Sequence, residues 1–339
     1  MAQIIISYIV LAAICFDLLL GDPEFLLHPV QIIGFYIKKT SDFLLYYFKN
    51  NDRYLLFSGL FISLTTILIS LLIGKYIELQ FFQSDKNILF GSLIFFGLSS
   101  CLASKSLISS VKEIVNLIEK NNLDNKTDKL IKQKVQKIVS RDVSSSSKEH
   151  LLRASFESLT ENAVDGIFGP MFWMFLGIFL IRHSIYLPGP LALGFSYKAI
   201  STLDSMIGYK KDELKYLGFF SAKIEDFITF IPCRVVLFTL PLVSKKFYKY
   251  NYLIHKSITD GKQYSSPNAG ISEAIFAHIV NIRLGGESIY DGKTITKPTI
   301  NPQGRLCRCN DINVICEMIY RLIFLWSIIY YLLFLVTFI

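Results

Sequence analysis

Charge is scarce in this chain of 339 residues: only 18% are Asp, Glu, Lys or Arg, against roughly 25% in an average soluble domain. That leaves too little polar side chain to cover a water-soluble globule. With 52% hydrophobic residues there is also too much apolar area for intrinsic disorder. Nineteen glycines and ten prolines are too few for a collagen-like or low-complexity architecture, and six cysteines are too few for a disulfide scaffold. No CxxC, GxGxxG or HExxH occurs, and no internal repeat. GESIYDGKT at 286–294 imitates a phosphate-binding Walker loop. Its glycines are separated by five residues where four are required, and Pro298 and Pro302 exclude the helix that must follow.

What the chain has is long apolar runs. Residues 1–16 carry no charge before Asp17, and 54–74, 87–104 and 322–339 are each free of Asp, Glu, Lys and Arg. Each is near or above the roughly 18 residues a spanning helix needs. Spanning helices are therefore expected near 4–20, 54–74, 87–104 and 320–339. The uncharged run 166–181 is shorter, about 24 Å as a helix against a hydrocarbon core of about 30 Å. Residues 227–244 are interrupted by Pro232 and Arg234. Both 166–196 and 227–244 are expected to be re-entrant or spanning, with Pro188-Gly189-Pro190 at a bend. The first segment lacks a basic leader region and reads as a retained helix, not a signal peptide.

The formal charge of +8 is uneven: residues 105–153 hold eleven Lys and Arg, and 75–86 hold two. The excess of positive charge on the cytoplasmic side of membrane proteins puts 105–165 and 22–53 inside, and 75–86 and the N-terminus outside. The lysines are diluted by Asp and Glu with no aromatic interleaving, so no nucleic-acid partner is expected. Residues 106–139 read as amphipathic helix with a polar break at 121–128. Val111, Ile114, Val115 and Ile118 share one apolar face, and Leu130, Val135, Ile138 and Val139 continue it. Ser146 with Glu149 predicts a helix start, and that helix is expected to run to about Ala163. A later helix starts at Ser266-Pro267 or Ser272 and stops at Gly285-Gly286. Residues 287–304 read as loop or short hairpin. Cys307, Cys309 and Cys316 are either a soft-metal cluster or free thiols in a reducing cytoplasm.

Ionisable residues lie in or beside the apolar runs, where they mark function. Asp17, Asp22 and His28 fall in DLLLGDPEFLLHPVQIIG at 17–34; turn chemistry at a helix end is the plainer account of them. Arg153, Glu157, Glu161 and Asp165 recur every four residues and share a drifting helix face. Three successive carboxylates there need a counter-charge, which a divalent cation supplies; a solvated stripe is the alternative. Arg141-Asp142, one loop away, suits phosphate oxygens. Lys198 and Asp204 lie among small and apolar neighbours. Glu225 and Asp226 enter an apolar helix in which Arg234 needs an anionic partner, either a carboxylate or a ligand phosphate. Ser266, Asn268 and Glu273 open a helix whose N-terminal amides form a phosphate cradle.

Taken in order, GDP…HPV, ESLTENAVDG, TLDSMIGYK, FIPCR and SPNAG…LGG resemble the CbiB/CobD family of cobalamin-biosynthesis membrane proteins, adenosylcobinamide-phosphate synthases. The likeness spans residues 17–293. It implies an all-α polytopic membrane protein, one membrane-embedded domain over 1–339 with a cytoplasmic helical region at 106–165. The implied location is the bacterial inner membrane with the active site facing the cytoplasm. The implied reaction is ATP-dependent amide ligation of adenosylcobyric acid with aminopropanol phosphate. ATP and Mg²⁺ are the implied cofactors, and other membrane-bound corrinoid enzymes are further candidate partners. The family's polar blocks fall on Asp22, His28, Arg141, Asp142, Glu157, Glu161, Asn162, Asp165, Lys198, Asp204, Asp226, Arg234, Ser266, Asn268 and Glu273. The chain departs from the family at Ser140 and Val143, where GRDT is usual. It departs also at Glu225, Ser201, Thr229 and Cys233, where Asp, Asn, Asn and Ala are usual.

Amide formation from a carboxylate through an acyl phosphate needs Mg²⁺ on the polyphosphate, cations around the moving phosphoryl group and a base for the amine. Glu161, Asp165 and Asp226 are the metal candidates, and Arg141 and Arg234 the phosphoryl clamps. Glu157, Glu161, Asp165, Lys198 and Asp204 are the catalytic candidates. Ser266 and Asn268 are expected to hold the amino alcohol phosphate. Asp22, His28, Asp142, Asn162 and Glu273 complete the substrate set. A related membrane regulator of β-lactamase, or a transporter, is the rival reading; a transporter would show inverted hydropathy halves, which are not seen.

Overall fold

The computed structural model describes residues 2–21, 29–48, 51–83, 87–120, 125–208, 214–290 and 293–336. Asp22 and His28 lie outside the described residues. Among the described residues the regular structure is helical apart from one hairpin. Among the described residues six stretches are long and apolar enough to cross a membrane: Ala2–Leu19, Asp52–Gln83, Asn87–Lys120, Lys148–His183, Phe219–Val243 and Asp311–Val336. The protein is an all-α polytopic membrane protein. It divides into two compact units. One takes the described parts of 1–105, 165–229 and 334–339, and the other takes 106–164 and 230–333.

The first unit holds α1 (Ala2–Leu19), α2 (Pro29–Phe48), α3 (Asp52–Gln83), α4 (Asn87–Ser99), α8 (Gly169–His183), α9 (Pro190–Ile207) and the start of α10 (Phe219–Val243). Ile37 and Leu44 of α2, Ile62 of α3, and Leu203 and Ile207 of α9 meet Leu217 in one buried cluster. Pro188-Gly189-Pro190 forms the bend between α8 and α9, which pack on each other. Pro190 is suited to the first helical position, where its missing N–H costs nothing. At that bend the backbones approach closely: a Cβ on Gly177 would sit 2.4 Å from the Gly189 carbonyl carbon.

The N-terminus of α9 is capped from another helix. Glu78 of α3 accepts N–H bonds from Gly189, Leu191 and Ala192 at 2.9, 2.7 and 3.2 Å, and Glu78 is 0% exposed. Lys75, one turn earlier, donates to the carbonyls of Ile185 and Leu187. Orphan amides and the positive end of a helix both favour a carboxylate there. Replacing Glu78 with Ala is expected to destabilise the protein by about 2–4 kcal/mol, since three buried donors lose their acceptor. Thermal unfolding in detergent measures this; an unchanged midpoint would show that the bend does not need the cap.

The second unit begins with α5 (Ser104–Lys120) and α6 (Asn125–Gln136). Val111, Ile114, Val115 and Ile118 are buried as their spacing predicts. On α6 Val135 is buried as expected, but Ile131 takes the place expected of Leu130, which is exposed; Ile138 and Val139 are half-buried. Helix α7 (Lys148–Ala163) is capped by Ser147, whose hydroxyl accepts the His150 N–H at 3.3 Å. The cap is thus one residue later than the Ser146–Glu149 pattern suggested. Helix α7 does not stop at Ala163; a π-helical turn at Val164–Phe168 carries it into α8.

Helix α10 continues through Pro232 and Pro241. Helices α11 (Tyr250–Gly261) and α12 (Pro267–Val280) pack together, and α12 packs on α7. Helix α12 starts behind Ser266 with Pro267 in its first turn, and ends at Asn281 in the left-handed conformation (φ 64°). It therefore stops before Gly285-Gly286. Those glycines (φ 78° and 86°) lie at an irregularity in β1 (Leu284–Tyr290), which pairs antiparallel with β2 (Lys293–Ile300). Helix α13 (Asp311–Val336) closes the chain.

Candidate functional site

The densest buried polar group in the second unit is built around Glu157 of α7. Its carboxylate pairs with Arg141, accepts the Gly285 N–H at 2.7 Å, and lies 3.7 Å from Arg153 Nε. Arg141 also donates to Ser288 of β1 at 2.8 Å. Both charged residues are buried, Glu157 at 2% and Arg141 at 8% exposure. A carboxylate removed from water needs this much compensation, because an uncompensated buried charge costs several kcal/mol. Gly285 makes the arrangement possible. Its positive φ suits glycine, and a Cβ there would stand 2.1 Å from the Pro298 carbonyl oxygen.

Helix α12 adds the next carboxylate. Ser272 donates to the Thr160 carbonyl, joining α12 to α7 one residue before Glu273 and Glu161 respectively. Glu273 is 2% exposed, and its Oε2 has no hydrogen-bond partner. Burial, reinforced by the charges of Glu157 and Glu161, pushes the Glu273 carboxyl well above its ordinary range, and Lys297 and Arg141 oppose this. The Tyr264 hydroxyl is likewise buried without a partner. Burial, then the charge of Glu273, raises its pKa. Lys297 lies 5.9 Å above the Tyr264 ring. Glu161, one turn beyond Glu157, is only partly buried.

Beside this group a cavity of about 220 Å³ is lined by Arg141, Asp142, Ser145, Ser146, His150 and Arg153, and by Glu287, Ser288 and Thr294 of the hairpin. Ligand pockets generally run to about 300–1,000 Å³, so this one suits a small polar group and not a macrocycle. Asp142 accepts the Ser144 N–H at 2.8 Å, and that bond holds its carboxyl below the usual range. The Asp142 N–H in turn donates to the Ile289 carbonyl, tying the loop to the hairpin.

The third feature is Arg234 on α10. It donates to Asn268 Oδ1 and to the Phe230 carbonyl, and its guanidinium lies 3.8 Å above the Phe230 ring. Those partners are neutral, so the guanidinium charge is stacked and oriented without being neutralised by them. Asn268 is buried, and its carbonyl accepts the Cys233 thiol. Ser266 is the backbone cap of α12, with no capping bond from its side chain.

The family model described as CobD/Cbib protein matches residues 10–319. The chain belongs to the CobD/CbiB family. A cobalamin biosynthesis protein CobD of Synechocystis sp. is 36% identical over 286 residues, 84% of this chain and 79% of the relative. One from Clostridium acetobutylicum is 36% identical over 295 residues, 87% of each chain. One from Leptospira interrogans is 34% identical over 293 residues, 85% of each. No solved structure matches the chain. Family membership supports a role in cobalamin biosynthesis.

Within this CobD/CbiB chain the expected site residues divide. Arg141, Asp142, Glu157, Glu161, Asn162, Arg234, Ser266, Asn268 and Glu273 fall in the second unit, and Asp165, Lys198, Asp204 and Asp226 in the first. Asn162 donates to Ser158 at its carbonyl and hydroxyl oxygens. Asp165 sits in the π-helical turn, whose wider winding displaces it from the azimuth that a four-residue repeat assigns on an α-helix. Lys198 and Asp204 are partly buried on α9, about a third of a turn apart around its axis. Glu225 accepts the Thr229 hydroxyl at 2.6 Å, and Thr229 lies 3.2 Å from the Tyr197 hydroxyl.

Among the described residues no group of three or more His, Cys, Asp or Glu is arranged to hold a metal. All six cysteines are free thiols. Sequence reasoning missed Ser288, Gly285, Tyr264 and Lys297. The paired glycines were a signal, but they read as a helix stop; Tyr264 and Lys297 gave none.

Proposed function

We propose that this CobD/CbiB chain is an ATP-dependent amide ligase joining adenosylcobyric acid to aminopropanol phosphate, giving adenosylcobinamide phosphate at the cytoplasmic face of the inner membrane. The observation that carries the reading is the buried polar group on α7, α12 and the hairpin: one carboxylate fully compensated, and two, Glu161 and Glu273, with spare capacity. Buried carboxyls of this kind are arranged for chemistry more often than for stability.

Mg²⁺ keeps several waters and is held by one or two protein carboxylates together with substrate phosphates. Glu161, partly exposed, and Glu273, with an oxygen lacking a hydrogen-bond partner, fit that demand. In this reading Asp165 and Asp226 remain further metal candidates, and Lys198 and Asp204 positioning candidates. Mg–ATP, when bound, supplies the phosphoryl group that converts a propionate carboxylate into an acylating agent.

The protein's own residues hold the reactants. Arg234 offers its guanidinium to phosphoryl oxygens, with Phe230 and Asn268 fixing the plane of the fork. Ser266, Asn268 and the first amides of α12 receive the amino alcohol's phosphate. Arg141 works from behind, pairing with Glu157 and tying it to Ser288 of the hairpin. The Arg141–Arg153 cavity takes a small phosphate-bearing group.

The test is direct. Purified protein in detergent or nanodiscs is supplied with ATP, adenosylcobyric acid and aminopropanol phosphate, and the corrinoid product is followed by mass. ATP consumption is expected only when both other substrates are present. ATP turnover independent of the amine, or no product under any condition, would overturn the reading. Ethanolamine phosphate in place of aminopropanol phosphate reads the preference for the amino alcohol.

A further inference from the structure

The end of α10 and the start of α11 form a surface unrelated to the ligase site. Two hydrogen bonds fix its level. Trp326 Nε1 donates to Thr239 Oγ1 at 3.0 Å, and Arg321 donates to the Val243 carbonyl at 3.2 Å. Residue numbers rise along α10 as they fall along α13, so the two helices run antiparallel. Beyond Arg321 the rest of α13 carries no charge, and its Phe324, Leu332, Leu333 and Val336 are exposed. On α10, Phe238 and Leu242 are exposed at the matching depth. Both helices are long and apolar enough to cross a bilayer. The apolar zone of this pair therefore ends near Val243 and Arg321.

At that level the sequence changes character to SKKFYKYNY. Phe247, Tyr248 and Tyr252 are 57, 76 and 53% exposed, and Lys245 and Lys249 are exposed. Large aromatic side chains left open to this extent are unusual on a surface facing water, but they are the rule at the headgroup level of a bilayer. The charges are also lopsided. Lys246 is lowered by partial burial and then by Lys249 and Arg305, two cations. Lys249 lies 5.7 Å over the Tyr248 ring, and Tyr248–Tyr252 line an open cavity of about 460 Å³.

We propose that residues 244–252 form a docking surface for the headgroups of anionic phospholipid at the membrane interface. Lys245, Lys246 and Lys249 meet the phosphates, and Phe247, Tyr248 and Tyr252 insert their rings at the glycerol level. The continuity of this surface with two membrane-spanning helices selects lipid over a soluble polyanion. Each lysine near a charged bilayer surface strengthens binding roughly fivefold, so three give on the order of 100-fold.

The test uses the full chain in nanodiscs of neutral phosphatidylcholine, with and without phosphatidylglycerol, and native mass spectrometry of the detergent-released protein. The wild type is expected to retain phosphatidylglycerol and to melt higher in the anionic discs, with the difference shrinking as salt is raised. The K245Q/K246Q/K249Q variant is expected to lose most of that retention while melting as the wild type does in neutral discs. If the triple variant does not fold, K249Q alone is expected to show about a fivefold loss. Equal retention of neutral and anionic lipid by the wild type would overturn the proposal. So would undiminished phosphatidylglycerol retention by a folded variant. The same stabilisation from tripolyphosphate in neutral discs would assign the surface to a soluble anion and equally end it.

Discussion

Glu161→Gln is expected to lower ligation turnover by about 1,000-fold or more, equivalent to ~4 kcal/mol of transition-state stabilisation, with little change in thermal stability. Among the described residues Glu161 has no ion pair like that of Glu157 with Arg141, and it is more exposed than Glu157. The exchange removes charge but almost no volume, so a folding defect is not expected to accompany it. Glu157→Gln is the contrasting control. Arg141, Arg153 and the Gly285 N–H all address the Glu157 carboxylate, and breaking such a buried pair costs about 3–5 kcal/mol. That variant should lose stability first, and activity as a consequence. Near-normal turnover of Glu161→Gln at saturating Mg²⁺ would remove this face from the mechanism. Comparing turnover per folded molecule for the two variants separates chemistry from scaffold.

Arg234→Lys is expected to lose about 100-fold in turnover and to remain folded. The guanidinium lies flat on Phe230 and is steered by Asn268, an arrangement that presents a planar, bidentate edge. Lysine carries the same charge but is a point donor with neither the fork nor the stacking plane. If Arg234 only braced α10 against α12, lysine would partly rescue it, and the damage would appear as a lower melting temperature. Turnover and melting temperature measured on the same preparation decide between the two. A lowered melting temperature with unchanged specific activity would rule out the clamp.

The fold was legible where a single physical pressure acts along the chain. Uncharged runs of about 18 residues or more favour helices long enough to span, because lipid offers backbone groups no partner but each other. The first, second and last such runs lie in α1, α3 and α13 and needed no tertiary information; the third, expected as one helix over 87–104, is helical only as far as Ser99 and breaks at 100–103 before α5. Pro188-Gly189-Pro190 likewise marked a bend, because proline suits a first helical position and not an interior one. Local patterns misplaced boundaries by small amounts. Ser147 and not Ser146 caps α7, because the hydroxyl that reaches a free N–H depends on where the chain enters the helix. Asn281 and not Gly285 ends α12, because asparagine also tolerates the left-handed turn.

The composition and order of the polar blocks determined the family and singled out Glu157, Glu161, Glu273 and Arg234 as chemical residues. What each one does is set by distant chain that no spacing rule reaches. A four-residue repeat made Glu157, Glu161 and Asp165 equivalent. The tertiary structure separates them: Arg141 from 16 residues upstream pairs with Glu157 and the Gly285 N–H from 128 residues downstream hydrogen-bonds it, a π-helical turn re-aims Asp165, and Glu161 is left partly open. Glu78 was invisible for the same reason, as its three amide donors lie more than 100 residues away. Sequence fixes which groups can ionise and how long each helix must be, because those depend on the residue and its near neighbours. Whether a carboxylate is a brace, a cap or a ligand depends on the partners that burial forces upon it, and only the folded chain supplies those.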